Sequence, residues 1–372
     1  MYITNIKIDG FKNLKNIDLT PGRNFNIIFG QNAQGKTNLL EALWIATGCR
    51  SFRNTKEKDY ISFDADEFEM TIQFQDEKRP QEIKYRMVRK NVKNKLITLN
   101  GVNQTNGSRL FENFKCVAFL PEDIELIKGM PEKRRSYIDL CYSQLKPKSM
   151  QYIRKYDQLI NQRNAVIKSI IAGYDTEESL DIWDRQLAVA GAYISFMRHE
   201  YVIKLNDCCQ KLYSRIADGA EELNISYQSN VYPDDYEYPQ SPESSMAEIY
   251  YEKLKNSIKD DIRLGYTHSG VNRDDISMKI NGLSVKDFGS QGQQKSTALV
   301  MRLAQAQIYS MEKKESPVIL LDDVMGELDE NRQKFVCSII ADMQVFITTC
   351  NHRAILHQCD DVFEMSGGSL VN

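Results

Sequence analysis

The feature that most constrains this chain is the segment 30–37, Gly-Gln-Asn-Ala-Gln-Gly-Lys-Thr. It matches the pattern G-x-x-x-x-G-K-[ST], follows the short apolar stretch 25–29 and precedes a helical pattern that extends from Lys36 to about Gly48. In this strand–loop–helix setting the glycines let backbone N–H groups converge on phosphate oxygens, and the helix N-terminus adds a favourable dipole. The segment therefore predicts a P-loop, which is a cradle for the phosphates of a nucleotide.

Two side chains of the P-loop have predicted chemical roles. Lys36 is placed to reach the β- and γ-phosphates, and the hydroxyl of Thr37 is placed to bind Mg²⁺. ATP and Mg²⁺ are therefore the expected cofactors. The residues predicted to bind the nucleotide in this part of the chain are Gly30, Gln31, Asn32, Ala33, Gln34, Gly35, Lys36, Thr37 and Asn38.

A second constraint is the continuous apolar run 318–321, which is followed by Asp322 and Asp323. Such a run indicates a fully buried strand. Two carboxylates at its end would destabilise the fold unless a cation compensates for their charge. We assign Mg²⁺ binding to Asp322 and the orientation or deprotonation of an attacking water to Asp323, so that Lys36, Asp322 and Asp323 are the predicted catalytic residues. A similar apolar run, 345–349, predicts another buried strand.

The segment 288–296, Phe-Gly-Ser-Gln-Gly-Gln-Gln-Lys-Ser, lies between the P-loop and the Asp322 strand and precedes a helical pattern. It resembles the signature loop of ABC-type ATPases, and the segment 327–329 resembles their D-loop. The resemblance implies that a second chain's nucleotide is contacted here. Such a site is complete only when two chains pair head to tail around two nucleotides, so an ATP-dependent homodimer is expected. The residues expected to make these contacts are Ser290, Gly292, Gln293 and Asp329.

The formal net charge of −3 is the sum of two unlike halves. Residues 1–168 carry a net charge of +10, from 29 basic and 19 acidic side chains, and residues 169–372 carry −13, from 19 and 32. Within the basic half, the segment 83–95 has six cations and no acid. It is predicted either to follow the DNA backbone or to be a solvated hairpin. The DNA-binding candidates are Lys84, Arg86, Arg89, Lys90 and Lys93.

The order of patterns along the chain predicts an α/β fold with an insertion. Helical periodicity over 179–217 predicts one long helix, and the Pro-rich, acidic segment 229–245 predicts a surface loop. We expect an ABC-type, SMC-head-like P-loop ATPase lobe with a mixed sheet over residues 1–128 and 264–372. An inserted, mainly α-helical lobe is expected over residues 129–263. The acidic segments are expected to stay off DNA and are candidates for contact with partner proteins.

Beyond these motifs, the segments 119–129, 134–135 and 273–275 resemble the RecF family of DNA-repair ATPases. The resemblance covers most of the chain. It implies ATP-dependent dimerisation on double-stranded DNA near single-strand gaps and slow, DNA-stimulated hydrolysis of ATP to ADP and phosphate. It also implies binding to single-stranded DNA and junctions, help in loading RecA together with RecO and RecR, and roles in DNA replication, repair and SOS induction.

The chain departs from the usual ABC pattern at several positions. Gln291 stands where the signature loop usually has Gly, Gly326 stands where the D-loop usually has Ser, and Asp323 is one methylene shorter than the usual Glu. The switch position, often His, is occupied either by Thr349 or by His352. These departures lead us to expect a slow ATPase that acts as a timer or clamp.

The first residues show no apolar signal segment, and the eight cysteines contain no Cys-x-x-Cys pair, so we expect a cytoplasmic protein without membrane association.

Other interpretations of the same motifs remain open. An SMC-like ATPase with other DNA-repair partners would share all the motifs. A P-loop kinase would need no signature loop, and a non-enzymatic DNA-binding scaffold would show no ATP turnover dependent on Lys36.

Overall fold

The computed structural model describes residues 1–91, 95–105, 107–350 and 361–371. In these ranges the strands are β1 (Tyr2–Asp9), β2 (Ile17–Leu19), β3 (Phe25–Phe29), β4 (Glu67–Gln75), β5 (Pro80–Val88), β6 (Leu96–Leu99), β7 (Val102–Asn103), β8 (Cys116–Phe119), β9 (Leu223–Gln228), β10 (Asp275–Ile280), β11 (Leu283–Ser284), β12 (Val318–Asp322), β13 (Val345–Thr349), β14 (Asp361–Ser366) and β15 (Ser369–Val371). The helices are α1 (Lys36–Ala46), α2 (Ser108–Asn113), α3 (Glu125–Lys128), α4 (Pro131–Leu145), α5 (Ser149–Ile171), α6 (Asp181–Ile216), α7 (Ser244–Asn256), α8 (Ile258–Leu264), α9 (Val285–Phe288), α10 (Gln291–Lys313) and α11 (Glu330–Ile339).

The chain divides into two compact units. The first comprises Met1–Asp123 and Met301–Asn372, and the second comprises Ile124–Val300. The second unit extends past residue 263, where we predicted the helical lobe to end. The reason is that β10, which follows that residue, pairs along its whole length with β9.

The first unit contains a mixed sheet with the strand order β15-β14-β3-β13-β12-β8. All neighbours are parallel except β14 and β15. The residues of β12 and β13 are all buried, as their continuous apolar character predicts. Because the carboxyl ends of parallel strands meet at one edge of a sheet, the residues that follow β3, β12 and β13 are brought together there.

The first unit also contains an antiparallel sheet with the order β2-β1-β4-β5-β6-β7. Alternate residues of β4 point into the core, where Phe68, Met70 and Ile72 are at most 1% exposed. The same alternation on β5 leaves Lys84 and Arg86 on the outer face. The register of the two strands therefore decides which charges share that face.

The second unit is mainly helical. Its longest element, α6, is continuous over 36 residues, which confirms the helix expected over 179–217. A small antiparallel sheet of order β11-β10-β9 accompanies the helices. The predicted α/β lobe with a mixed sheet and an inserted, mainly helical lobe is thus confirmed.

Within the described ranges, no helix combines the length and apolar character needed to cross a membrane. The seven cysteines in those ranges are free thiols.

Candidate nucleotide-binding site

The P-loop connects β3 to α1 at the carboxyl edge of the parallel sheet. Gly30 has a φ of +156°, and a Cβ there would lie 2.3 Å from the carbonyl oxygen of Met365. Gly35, with a φ of +110°, is the N-cap of α1, whose N-terminus has no side-chain cap. The first N–H groups of α1 therefore have no side-chain acceptor, an arrangement that suits an anion.

The side chain of Lys36 folds back toward the main chain of its own loop. Its ammonium group donates to the carbonyl oxygens of Gly30 at 2.7 Å and Gln31 at 2.9 Å. The side chain is only 6% exposed. Lys36 therefore lies inside the predicted phosphate cradle, where its charge is held by main-chain dipoles that a phosphate can replace.

Thr37 and Asp322 meet directly, although they come from different motifs. The Thr37 hydroxyl donates to Oδ1 of Asp322 at 2.8 Å, and the Thr348 hydroxyl contacts the same oxygen at 2.7 Å. Burial raises the pKa of Asp322, while the hydrogen bonds from Thr348 and Thr37 act in the opposite direction. This buried carboxylate with an adjacent hydroxyl provides the hard oxygen ligands that Mg²⁺ prefers.

Asp323 differs from its neighbour in exposure and backbone conformation. Its side chain is exposed, its φ is +55°, and its N–H donates to the Thr348 hydroxyl at 3.0 Å. A non-glycine residue in the left-handed region is uncommon and costs on the order of 1 kcal/mol or more. The turn sends the two carboxylates to different places, with Asp322 buried beside Thr37 and Asp323 accessible to solvent.

The predicted signature residues lie in the second unit, at the N-terminus of α10. Ser290 and Gln293 form a reciprocal capping box, in which the N–H of Ser290 donates to Oε1 of Gln293 at 2.7 Å and the N–H of Gln293 donates to Oγ of Ser290 at 3.2 Å. The Gln293 amide also donates to Glu221 at 2.7 Å. Ser290 is nevertheless exposed, and Gly292 is half-buried.

The predicted D-loop aspartate caps the following helix. Oδ1 of Asp329 accepts the N–H of Arg332 at 3.0 Å at the start of α11, and the residue is exposed. The main-chain hydrogen bond from Arg332 is the first cause of its lowered pKa. Asp329 is therefore an ionised, accessible carboxylate with a local structural role.

The remaining P-loop residues are tied to neighbouring segments. Oε1 of Gln34 accepts from Gly367, and the main-chain oxygen of Gln34 accepts from Gly368 at 3.0 Å. The Cys350 thiol contacts Oδ1 of Asn32 at 2.9 Å. Thr349, one switch candidate, is buried at the end of β13, and the other, His352, lies outside the described residues.

Sequence reasoning missed three residues that support the site. Asn13 donates to the carbonyl oxygen of Ala33 at 3.3 Å and accepts from Asn38 at 2.7 Å. Glu41, fully buried on α1, pairs with Lys12. The third residue is Thr348, described above. Neither Asn13 nor Glu41 stands in a recognisable motif, whereas the position of Thr348, at the end of an apolar strand beside β12, was a usable signal.

The two DNA-binding candidates on β5, Lys84 and Arg86, form ion pairs with neighbouring glutamates. Arg86 contacts Glu67 at 2.6 Å and Glu69 at 2.9 Å, and Lys84 contacts Glu82 at 3.1 Å. The side chains in these ion pairs are 30–57% exposed, a setting in which such pairs contribute about 0–1 kcal/mol and exchange readily.

The other three candidates have different surroundings. The Arg89 guanidinium donates to the main-chain oxygens of Ser62, Ala65 and Ile61, so that it braces the loop before β4. Lys90 is exposed, and Lys93 lies outside the described residues. The structure therefore places Lys84 and Arg86 on one face of the sheet but surrounds them with carboxylates.

A parallel sheet with a P-loop, an adjacent buried aspartate and a helical unit inserted before the Asp322 strand defines a P-loop ATPase fold of the ABC and SMC type. The family model of the RecF/RecN/SMC N terminal domain matches residues 2–368. The DNA replication and repair protein RecF of Acetivibrio thermocellus is 35% identical over 94% of this chain and 93% of its own length. RecF of Clostridium botulinum strain Eklund 17B is 32% identical over the full length of both chains. The chain belongs to the RecF family.

Solved structures agree with this assignment. A structure of the recombination mediator protein RecF with ATP, in the RecFOR pathway, superposes with a TM-score of 0.91 at 32% identity and covers 100% of this chain and 97% of the other. The Smc head domain of Pyrococcus furiosus, bound to part of ScpA, gives a TM-score of 0.57 at 16% identity over 99% of this chain and 95% of the other. The second match shows the shared fold and confirms the expected SMC-head-like architecture.

Proposed function

We propose that this chain is an ATP-dependent DNA-binding clamp of recombinational repair. ATP binding drives dimerisation on double-stranded DNA near single-strand gaps, and slow hydrolysis to ADP and phosphate resets the clamp. The observation that carries the proposal is the 2.8 Å hydrogen bond between Thr37 and Asp322, because it joins the P-loop to the carboxylate strand in the geometry that an ATP–Mg²⁺ site requires. Membership of the RecF family supports the assignment to DNA repair.

The residues fit the proposed cofactors. The uncapped N-terminus of α1 and the Lys36 ammonium would hold the β- and γ-phosphates of ATP, and the oxygens of Thr37 and Asp322 would hold Mg²⁺. Mg²⁺ neutralises charge that develops on the phosphates during transfer. Lys36 would exchange its two main-chain acceptors for phosphate oxygens. The solved RecF structures described with ATP and with ATPrS support the choice of nucleotide.

Hydrolysis is proposed to be weak and stimulated by DNA. Asp323 is the residue available to orient or deprotonate water, because it is exposed while Asp322 is buried beside Thr37. Its side chain is shorter than the glutamate usual in ABC enzymes, which places its carboxylate farther from an attacking water. A slow chemical step suits a clamp whose lifetime on DNA is set by ATP.

Dimerisation would complete the site. Ser290 remains exposed, and although its oxygen accepts a hydrogen bond from Gln293, its O–H can still donate to a phosphate. Ser290, Gly292, Gln293 and Asp329 are therefore proposed to contact the nucleotide bound by a second copy of this chain. ATP would then act as the contact that holds two copies together.

DNA, RecO and RecR are the proposed partners, and RecA loading at gaps is the proposed outcome, together with roles in replication and SOS induction. Lys84, Arg86, Arg89, Lys90 and Lys93 remain the proposed DNA-binding residues. The pathway named for the solved RecF structures supports RecO and RecR. A cytoplasmic location is proposed because the substrate is chromosomal DNA. The alternative is an SMC-like ATPase with other DNA-repair partners.

Sedimentation velocity with and without ATP and duplex DNA tests this proposal, with Lys36→Ala as the matched variant. We expect a monomer alone, a dimer with ATP and a DNA-bound dimer with both, whereas Lys36→Ala should stay monomeric. A chain whose oligomeric state does not respond to ATP, but which transfers a phosphoryl group from ATP to a small molecule, would be a P-loop kinase. DNA binding with no turnover dependent on Lys36 would identify a scaffold. An ATP-dependent dimer on DNA that binds neither RecO nor RecR would favour the SMC-like alternative.

A further inference from the structure

The second unit contains a pocket that the ATPase motifs do not use. Its volume is about 260 Å³, and it lies between α6, β9 and the segment that follows β9. That segment was predicted to be a plain surface loop, but Tyr232 within it is 2% exposed and packs inward. The loop therefore forms one wall of a defined cavity.

Five aromatic side chains line the pocket, namely His199, Tyr227, Tyr232, Tyr236 and Tyr238. The imidazole of His199 stacks on Tyr238 with ring centroids 3.8 Å apart and planes 11° apart. Tyr236 meets the same ring edge to face at 5.0 Å, and Tyr227 does so at 6.4 Å. The rings that line the pocket therefore pack against one another both face to face and edge to face.

The pocket is held open by hydrogen bonds beneath its lining. The hydroxyl of Tyr232 donates to the carbonyl oxygen of Met246 at 2.8 Å, and the hydroxyl of Tyr227 donates to Asp274. Asp274 also accepts from the N–H of Asn230 at 2.9 Å and from Arg198 at 3.0 Å. A preformed cavity of this kind needs little ordering when an occupant enters.

The charge around the pocket is negative. Asp207 and Asp234 are exposed and line it, and none of the described residues that line it is Lys or Arg. The nearby Lys204 pairs with Glu200 at 3.4 Å. Burial lowers the pKa of His199, which disfavours the positively charged form of its imidazole. The loop itself, residues 229–243, contains four acids and no base.

We propose that this pocket, the tyrosine pocket, binds a lysine or arginine side chain presented by a partner protein. Aromatic faces attract cations, and carboxylates at the rim add charge complementarity. A nucleobase would also stack on tyrosine rings, but its phosphate would meet Asp207 and Asp234 with no cation beside them among the described lining residues. Charge therefore selects a basic protein segment over single-stranded DNA. The inference is independent of the proposed ATP site, because none of the residues that line the pocket is proposed to contact the nucleotide.

Saturation-transfer NMR titrations of the full chain test the proposal with small probes. N-acetyl-arginine amide is compared with N-acetyl-citrulline amide, which has nearly the same shape without the charge. We expect the arginine probe to bind about five- to ten-fold more tightly, as a desolvated cation–π contact with carboxylate support predicts. Octathymidylate serves as the nucleic-acid probe, and we expect it not to bind in the pocket.

Variants assign the binding to the tyrosine pocket. Asp234→Asn and Tyr236→Leu should each weaken arginine-probe binding about three-fold or more, while Tyr236→Phe, which keeps the ring, should preserve it. Tyr174→Leu, at a tyrosine in the same unit that is 87% exposed, is the control and should have no effect. Asp234→Asn alters an exposed side chain, so it tests the site even if Tyr236→Leu unfolds. Equal binding of the two probes, no arginine binding, or octathymidylate binding that depends on Tyr236 would overturn the proposal.

Discussion

The Thr37 hydroxyl donates a hydrogen bond of 2.8 Å to the Asp322 carboxylate, although 285 residues separate the two in the chain. The carboxylate oxygen that accepts it is also bonded to Thr348. Two neutral hydroxyl groups therefore orient the Asp322 carboxylate. Because neither of them is a cation, a metal ion can approach this carboxylate without first displacing a positive charge. The two oxygen ligands proposed for Mg²⁺ are adjacent before the metal arrives.

Thr37→Val should abolish most Mg²⁺-dependent ATP turnover while preserving the fold. Valine has nearly the shape of threonine but no hydroxyl, so it removes one metal ligand and one bond to Asp322. Loss of a hydrogen bond to a charged group is worth about 1.5–3 kcal/mol, which corresponds to roughly ten- to a hundred-fold. Turnover measured against Mg²⁺ concentration checks this. Thr37→Ser should retain most activity, and an unchanged Mg²⁺ dependence in Thr37→Val would remove Thr37 from the metal site.

The P-loop and the Asp322 strand could be predicted from the sequence because their information is local. A glycine-rich turn between a strand and a helix, or a carboxylate after an apolar run, is complete within about ten residues. Asn13 and Glu41 could not be predicted in this way. Their partners are Ala33, Asn38 and Lys12, and these contacts exist only after the strands of the first unit have assembled.

Ser290→Arg should block ATP-dependent dimerisation without preventing ATP binding by the monomer. The substitution places a long cation at an exposed position proposed to face the partner's nucleotide, while the P-loop lies in the other unit. Loss of the cap on α10 should cost about 1 kcal/mol. Sedimentation and nucleotide binding, measured on the same samples, separate the two effects.

Ser284→Arg is the matched control for that experiment. Ser284 is the N-cap of α9, in the same unit, and its side chain accepts the N–H of Asp287. The control should lose a comparable cap and still form the dimer. If Ser290→Arg also dimerised normally with ATP, the signature loop would have no role across the interface.

The charge of β5 shows a different limit of sequence analysis. The segment 83–95 contains six cations and no acid, but Arg86 stands directly opposite Glu69 on β4. Register between strands decides which charges are neighbours, and it is set by side-chain packing across the whole sheet. The number of cations can be read from the sequence. Whether each cation is free to contact a DNA phosphate depends on its neighbours across the sheet, which the sequence does not show.

Combined replacement of Lys84, Arg86 and Lys90 by Gln should weaken DNA binding and flatten its salt dependence. Each cation that no longer neutralises a phosphate should reduce the slope of log K against log salt concentration by about 0.9, so the three together should reduce it by roughly 2–3. Fluorescence anisotropy with a labelled duplex at several salt concentrations measures the slope. An unchanged slope would move the DNA surface to another part of the molecule.

Removing the neighbouring acids gives the opposite test of the same surface. Glu67→Gln combined with Glu69→Gln releases Arg86 from both ion pairs. DNA affinity should then rise, because the guanidinium no longer has to break its ion pairs with carboxylates before it binds a phosphate.

Arg89→Gln should loosen the loop before β4, to which the Arg89 guanidinium donates its hydrogen bonds, and the loss would be detected as a lower melting temperature.

Lys115 is a charge buried at a position where the fold offers it little compensation. It is 2% exposed, and its Nζ has no hydrogen-bond partner among the described residues. The ring of Phe111 lies 4.8 Å from the ammonium group. Burial lowers the pKa of Lys115 from 10.5 to about 8.

Lys115→Met should therefore stabilise the protein at pH 7. The folded state binds the proton less readily than the unfolded state, so the penalty is complete below pH 8 and disappears as the pH rises toward 10.5. At neutral pH it amounts to about 3 kcal/mol, of which we expect the substitution to recover roughly 1–3 kcal/mol. Urea unfolding at pH 7.0 and pH 9.5 measures the gain, which should shrink at the higher pH. Lys78→Met, at an exposed lysine of the same unit, should change stability little at either pH, and a gain independent of pH would show that apolar packing, not the buried charge, is responsible.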